Sequence, residues 1–191
     1  MEKAASKLVR ILKRQRKSVS FFEWPGSEMK ELAILEEFTA SLAACGGPSL
    51  VAPRHAVKAP PEIIAQDQEG HSVGIEVTHL ADQEVAREHE AEQALYRDWT
   101  AEEVINEIEK RIRETDRKPY HGGPYADLLL LIDTDEPKIC YNDYAESLGS
   151  HVFTALQHFT KVYLLFSYDR TGAEYRCMLL KTGKPAVGEA L

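Results

Sequence analysis

Residues 61–78 read PEIIAQDQEGHSVGIEVT. Two β-branched and apolar runs, 62–66 and 71–78, flank Asp67-Gln68-Glu69-Gly70, which has the chemistry of a turn, so the stretch predicts a β-hairpin. Residues two apart in a strand share a face, so Glu76 and Thr78 point one way while Ile75 and Val77 point into a packed layer. Glu62 opens the partner strand and in the right register lies close to Glu76. Two carboxylates at that separation repel unless a cation sits between them, and magnesium is the usual hard cation for such a pair. A metal held there can polarise a phosphate oxygen and lower the pKa of a bound water, the two needs of phosphodiester hydrolysis.

Upstream, Ser27 follows the Trp24-Pro25-Gly26 turn and caps a helix that runs to Gly46-Gly47, with Leu32, Leu35, Phe38 and Leu42 along one face and Glu28 and Glu31 a turn before them. The segment from Pro48 to Pro60 is rich in proline and basic residues and has room for a short strand only. Downstream, 81–99 is charged and helix-favouring. Thr100 and Glu103 form a capping box for a helix with Val104, Ile105, Ile108 and Ile112 on its apolar face, ending before Pro119. Asp127–Asp133 is apolar on both faces, as in a central strand covered on two sides. A helix over 144–159, a strand over 161–168, a turn at 169–172 and a last strand over 174–180 complete the pattern, with a polar tail after Thr182. Strands alternating with helices predict one α/β domain over 1–191, a central mixed sheet flanked by helices.

The bulk properties are those of a globular chain: 191 residues, 43% hydrophobic and 28% charged. No apolar run reaches the length of a membrane span, and no apolar h-region with a cleavage site follows the basic N-terminus, so a cytoplasmic protein is expected. Cys45, Cys140 and Cys177 are odd in number and form no CxxC pair, which points to small core residues. The histidines lack metal spacing: His89-Glu90 is followed by Ala91-Glu92-Gln93, so the zincin pattern fails, while His79 stands out by its place beside Thr78. No Walker A loop, dinucleotide fingerprint or GxSxG elbow occurs. The net charge of −8 is unevenly spread: within 1–17, Lys3, Lys7, Arg10, Lys13, Arg14, Arg16 and Lys17 stand against Glu2 alone, a +6 arm that leaves −14 for the body. Leu8, Val9, Ile11 and Leu12 interleave with these cations as in a short amphipathic helix, and such an arm can hold a phosphate backbone through salt-sensitive contacts.

Pro61-Glu62 followed by Glu76-Val77-Thr78, behind a helix carrying Glu31, resembles the PD-(D/E)xK, or restriction-endonuclease-like, nuclease superfamily. That fold places an acidic helix before a hairpin whose second strand carries (D/E)-x-K, and the helix and Leu-rich strand that follow also fit. The likeness covers Glu28 to Asp133, a nuclease-like core over 28–133 between the basic arm and a C-terminal helix and β-hairpin addition over 134–191. It implies a magnesium or manganese ion held by Glu62, Glu76, Val77 and Glu31, and a catalytic set of Glu62, Glu76, Thr78 and Lys110. Glu62 replaces the family's aspartate, one methylene longer. Thr78 stands where the lysine belongs and carries no charge to stabilise the pentavalent phosphorus or orient the attacking water. Some members move that lysine to a neighbouring helix, which makes Lys110 the first substitute and Lys118 the second.

Each residue also has an ordinary structural explanation. A glutamate in a strand is often satisfied by backbone amides or an arginine, and Lys110 lies among Glu107, Glu109 and Glu114 as helix-surface ion pairs do. Three functions therefore compete: a metal-dependent nuclease that grips nucleic acid with its basic arm; a degenerate member of the fold that binds nucleic acid or a protein without cleaving; and an unrelated α/β domain with an interaction or structural role. A homo-oligomer is compatible with all three.

Overall fold

A computed structural model of the chain describes residues 27–44, 48–80, 98–134, 136, 138–167 and 175–183. The expected N-terminal helix, the helix-favouring stretch 81–97 with His89, Cys45, the turn at 169–172 and the tail from 184 lie outside the described residues. The elements are α1 (Ser27–Ala44), β1 (Val51–His55), β2 (Ile63–Gln66), β3 (Ser72–His79), α2 (Ala101–Thr115), β4 (Asp127–Thr134), α3 (Tyr141–Ser150), β5 (Lys161–Phe166) and β6 (Arg176–Thr182). The strands form one six-stranded sheet in chain order. β1–β2, β2–β3 and β5–β6 pair antiparallel, while β3–β4 and β4–β5 pair parallel, so the sheet is mixed.

Each long element forms for a local reason. At the start of α2 the Thr100 hydroxyl accepts the Glu103 amide at 3.2 Å and the Glu103 carboxylate accepts the Thr100 amide at 2.8 Å, the reciprocal cap expected from the sequence. Val104, Ile108 and Ile112 then recur at helical spacing and are buried. β4 alternates between two cores. Leu128, Leu130 and Ile132 face α2, α3 and the aromatic rings of Phe153 and Phe159. Leu129 and Leu131 face α1, whose Leu35, Phe38 and Leu42 also cover Ile63, Ile75 and Tyr163. The α2/α3 layer and the α1 layer thus lie on opposite faces, which accounts for a strand apolar on both sides. Phe38 meets Tyr163 edge-on with 5.2 Å between ring centroids.

Two stretches differ from the sequence expectation, and a third fills in what it left open. The proline-rich stretch does hold a strand, β1, whose pairing with β2 is interrupted between Val51 and Arg54, where Ala52 takes a φ of 51° and Pro53 has no amide hydrogen to give. The helix expected over 144–159 occupies Tyr141–Ser150, and residues 151–160 are irregular. Carboxylates from α2 and its end capture the amides there: Asp116 accepts those of Gln157, His158 and Phe159, and Glu109 accepts that of Thr154. Those donors are lost to a helical ladder, while Phe153 and Phe159 still reach the core. The last two strands, expected over 161–168 and 174–180, span Lys161–Phe166 and Arg176–Thr182. Cys140 and Cys177 are buried free thiols. Among the described residues, no helix is long and apolar enough to cross a membrane.

Candidate functional site

The β2–β3 register pairs Ile63 with Ile75 and Ile64 with Gly74, and continuing it by one residue sets Glu62 opposite Glu76. Ile63 and Ile75 belong to the α1 layer, so Glu62 and Glu76 share the other face, the one covered by α2. Glu76 is almost sealed, at 1% exposure. Glu62 is half-buried, and its Oε2 accepts the Val77 amide at 2.9 Å. β2 begins only at Ile63, so this carboxylate extends the hairpin's hydrogen bonding beyond the strand's end.

The loop that follows α2 closes the site. Asp116, buried at the helix end, is held by three backbone amides from 157–159. The Lys118 amide donates to the Thr115 carbonyl at 3.1 Å, and the His121 amide donates to the Pro60 carbonyl at 2.8 Å, just before Glu62. Between these anchors, Lys118 Nζ reaches Glu76 Oε1 at 2.5 Å. Gly74 lets the loop close down: a Cβ there would stand 2.8 Å from Leu128 Cδ1 and 3.0 Å from Pro61 Cγ, with the Tyr125 ring at 3.4 Å. The Tyr120 hydroxyl donates to the Thr115 carbonyl at 2.9 Å. Burial first, and then the charges of Glu76, Asp116 and Glu62, push that phenol far above its ordinary range, so it stays a neutral donor in the wall of the site.

Glu76 therefore has one oxygen on a half-exposed ammonium, while its Oε2 is buried with no hydrogen-bond partner among the described residues. Thr78 lies two residues further along β3, on the same face and opposite Ile132. Lys110 is not brought to this point: it is exposed on α2 and 3.5 Å from Glu107, an i,i+3 surface pair. Glu31 belongs to α1, the helix on the opposite face, and its side chain lies outside the described residues. Among the described residues, no three His, Cys, Asp or Glu side chains converge as a metal cluster. His79 faces the α1 side with Asp133, its Nδ1 3.0 Å from Asp133 Oδ2 at the adjacent ends of β3 and β4.

The sequence points to Lys110 before Lys118 and does not single out Asp116. The available signal was the Asp116-Arg117-Lys118-Pro119 run: a proline stops the helix, and residues just past a helix end are the ones that turn back over the sheet. No protein-family model, curated protein or solved structure matches the chain.

Proposed function

We propose that this chain is a metal-dependent nuclease with a restriction-endonuclease-like core, hydrolysing phosphodiesters at Glu62, Glu76 and Lys118. The observation that carries the reading is the 2.5 Å contact between Lys118 Nζ and Glu76 Oε1 on the sheet face that Glu62 shares. It brings an amine to the side of the sheet where Thr78 supplies no charge. The order α1, β-hairpin, α2 and Leu-rich β4, with β3 and β4 parallel, supports the same core.

Two carboxylates are a donor set that magnesium or manganese accepts from a protein, its other positions going to water and substrate oxygens. The buried Glu76 Oε2 without a protein partner among the described residues is the donor such an ion needs. Glu76 and Glu62 would hold the ion, which when bound supplies a polarised phosphate oxygen and a more acidic water. Lys118 contributes a fixed positive charge beside the reacting phosphate, and its remaining donors can meet an oxygen whose charge grows in the transition state. Tyr120 lines the wall of the site beside Glu76, while the ammonium stays open to water.

The test is incubation of the purified chain with labelled DNA and RNA in magnesium or manganese. Cleavage is expected, with Glu76→Gln and Lys118→Met each lowering it by about 10²-fold or more. Absence of cleavage of both polymers, or equal cleavage by Glu76→Ala, ends the proposal. A second reading, a degenerate relative that binds without cleaving, is favoured by the uncharged Thr78. Its mark is salt-sensitive nucleic-acid binding that survives Glu76→Ala and is lost with residues 1–17.

A further inference from the structure

Most cations on the described surface are already paired. Lys110 and Arg111 meet Glu107, Arg113 meets Glu109, Lys138 meets Asp98 and Lys161 meets Asp127. Arg54, Lys58 and Arg117 differ: all three are exposed, and none meets a carboxylate among the described residues. They sit on two segments far apart in sequence that the His121–Pro60 hydrogen bond ties together beside Glu62. Arg54 is opposite Ile64, and Ile64 is opposite Gly74, so Arg54 lies on the same sheet face as Glu76, two strands away.

The nearest acids keep their charge but are turned to backbone amides rather than to these cations. The Asp116 carboxylate is buried under three backbone amides, and Glu62 is turned onto the Val77 amide. Two strands correspond to about 10 Å, a reach that lets these cations meet neighbouring phosphates of one nucleic-acid strand, which recur about every 3.4 Å of helix axis. In a chain whose net charge is −8, an exposed group of cations without carboxylate partners, next to a candidate hydrolytic site, matches a polyanion.

We infer that Arg54, Lys58 and Arg117 form a grip for the phosphodiester backbone of a nucleic acid, leading it across β1 and β2 to Glu76 and Lys118. The inference rests on the nuclease reading for its destination, and it assigns the grip to the folded body rather than to the basic arm. Tyr125, packed over Gly74 on the same face, forms the floor between Arg54 and the Lys118 loop.

Binding is measured with the full chain in EDTA, where no cleavage intervenes, by fluorescence anisotropy of labelled DNA and RNA duplexes across a salt series. The triple reversal Arg54→Glu, Lys58→Glu, Arg117→Glu is expected to weaken binding at least about tenfold and to reduce the log–log salt slope by about 2.7, at about 0.9 per phosphate contact. The charge-matched triple Lys110→Glu, Lys138→Glu, Lys181→Glu is expected to stay within about twofold of the parent, since charges away from the path act only at long range. The neutral triple Arg54→Gln, Lys58→Gln, Arg117→Gln gives the same ranking without added repulsion and guards against misfolding of the reversal. Equal losses in the two reversals, no loss in the loop triple, or no binding by the parent chain overturns the inference. A chain that binds through these loops but cleaves nothing refutes the nuclease reading and leaves the grip standing. A chain that cleaves, with KM unchanged in the loop triple, refutes the grip alone.

Discussion

Lys118 Nζ lies 2.5 Å from Glu76 Oε1 across 42 positions of sequence, and the two partners differ sharply in exposure: 45% for the lysine side chain and 1% for the glutamate. A carboxylate taken out of water at that depth costs several kcal/mol unless a counter-charge accompanies it. Lys118 is therefore a structural counter-ion for β3, whatever chemistry the site performs. Its position depends on the Asp116 anchor and the His121–Pro60 bond, so the end of α2, the 151–160 segment and the start of β2 all bear on one ion pair.

Removing that counter-ion is expected to destabilise the fold. Lys118→Met should cost about 1–3 kcal/mol, below the loss for a fully buried pair because water reaches the ammonium. The double variant Glu76→Gln, Lys118→Met should cost less than the sum of the singles by about 1 kcal/mol or more. Urea midpoints of the four proteins decide the matter, and strict additivity would show that the contact carries no energy.

Glu109 offers a pH test. Burial pushes its carboxyl up, but the Thr154 hydroxyl and amide, His151 and Arg113 outweigh that and hold it below its ordinary 4.5. A lowered folded value means that its contribution is complete above 4.5 and is lost as pH falls through the lowered value. The stability difference between the parent and Glu109→Gln should thus shrink as pH falls below 4.5. Urea denaturation at several pH values measures this, and a difference that grows on acidification would refute it.

The two hairpins and the central strand are readable because their signals are local. The 127–133 run has no polar face, and the hairpin carries its own turn at Asp67, whose carboxylate accepts the Glu69 and His71 amides. The capping box at Thr100 likewise lies within four residues. What escaped depends on contacts between distant segments. The helix after β4 stops at Ser150 because Glu109 and Asp116, about forty residues upstream, take the amides of 154 and 157–159. Periodicity at 144–159 contains no trace of those acceptors. The same holds for Lys118, whose approach to Glu76 is set by the anchors of its loop rather than by helical spacing, whereas Lys110 has the spacing and points to Glu107.

Gly74 is expected to resist substitution. Its added Cβ would meet Leu128 Cδ1 at 2.8 Å and Pro61 Cγ at 3.0 Å, and both neighbours are buried in a packed layer. Gly74→Ala should cost about 1–3 kcal/mol through overpacking. Because Pro61 and Tyr125 line the same Cβ position next to Leu128, the loss should be accompanied by weaker hydrogen-exchange protection at the His121 amide. Unchanged stability would mean that the 116–126 loop does not close as tightly as its contacts indicate.

Glu62 separates the architectural role of the hairpin from its proposed chemistry. Its Oε2 accepts the Val77 amide, and a glutamine offers a carbonyl oxygen of the same reach for that bond. Glu62→Gln should therefore fold within about 0.5 kcal/mol of the parent, whereas Glu62→Ala should lose about 1–2 kcal/mol with the acceptor. Metal binding follows a different rule, since a hard cation prefers the anionic carboxylate to the neutral amide. If the nuclease reading holds, Glu62→Gln keeps its urea midpoint and loses about 10²-fold or more of its divalent-dependent cleavage. A glutamine variant that cleaves like the parent would reduce Glu62 to an extension of β2 and leave Glu76 and Lys118 to carry the site alone.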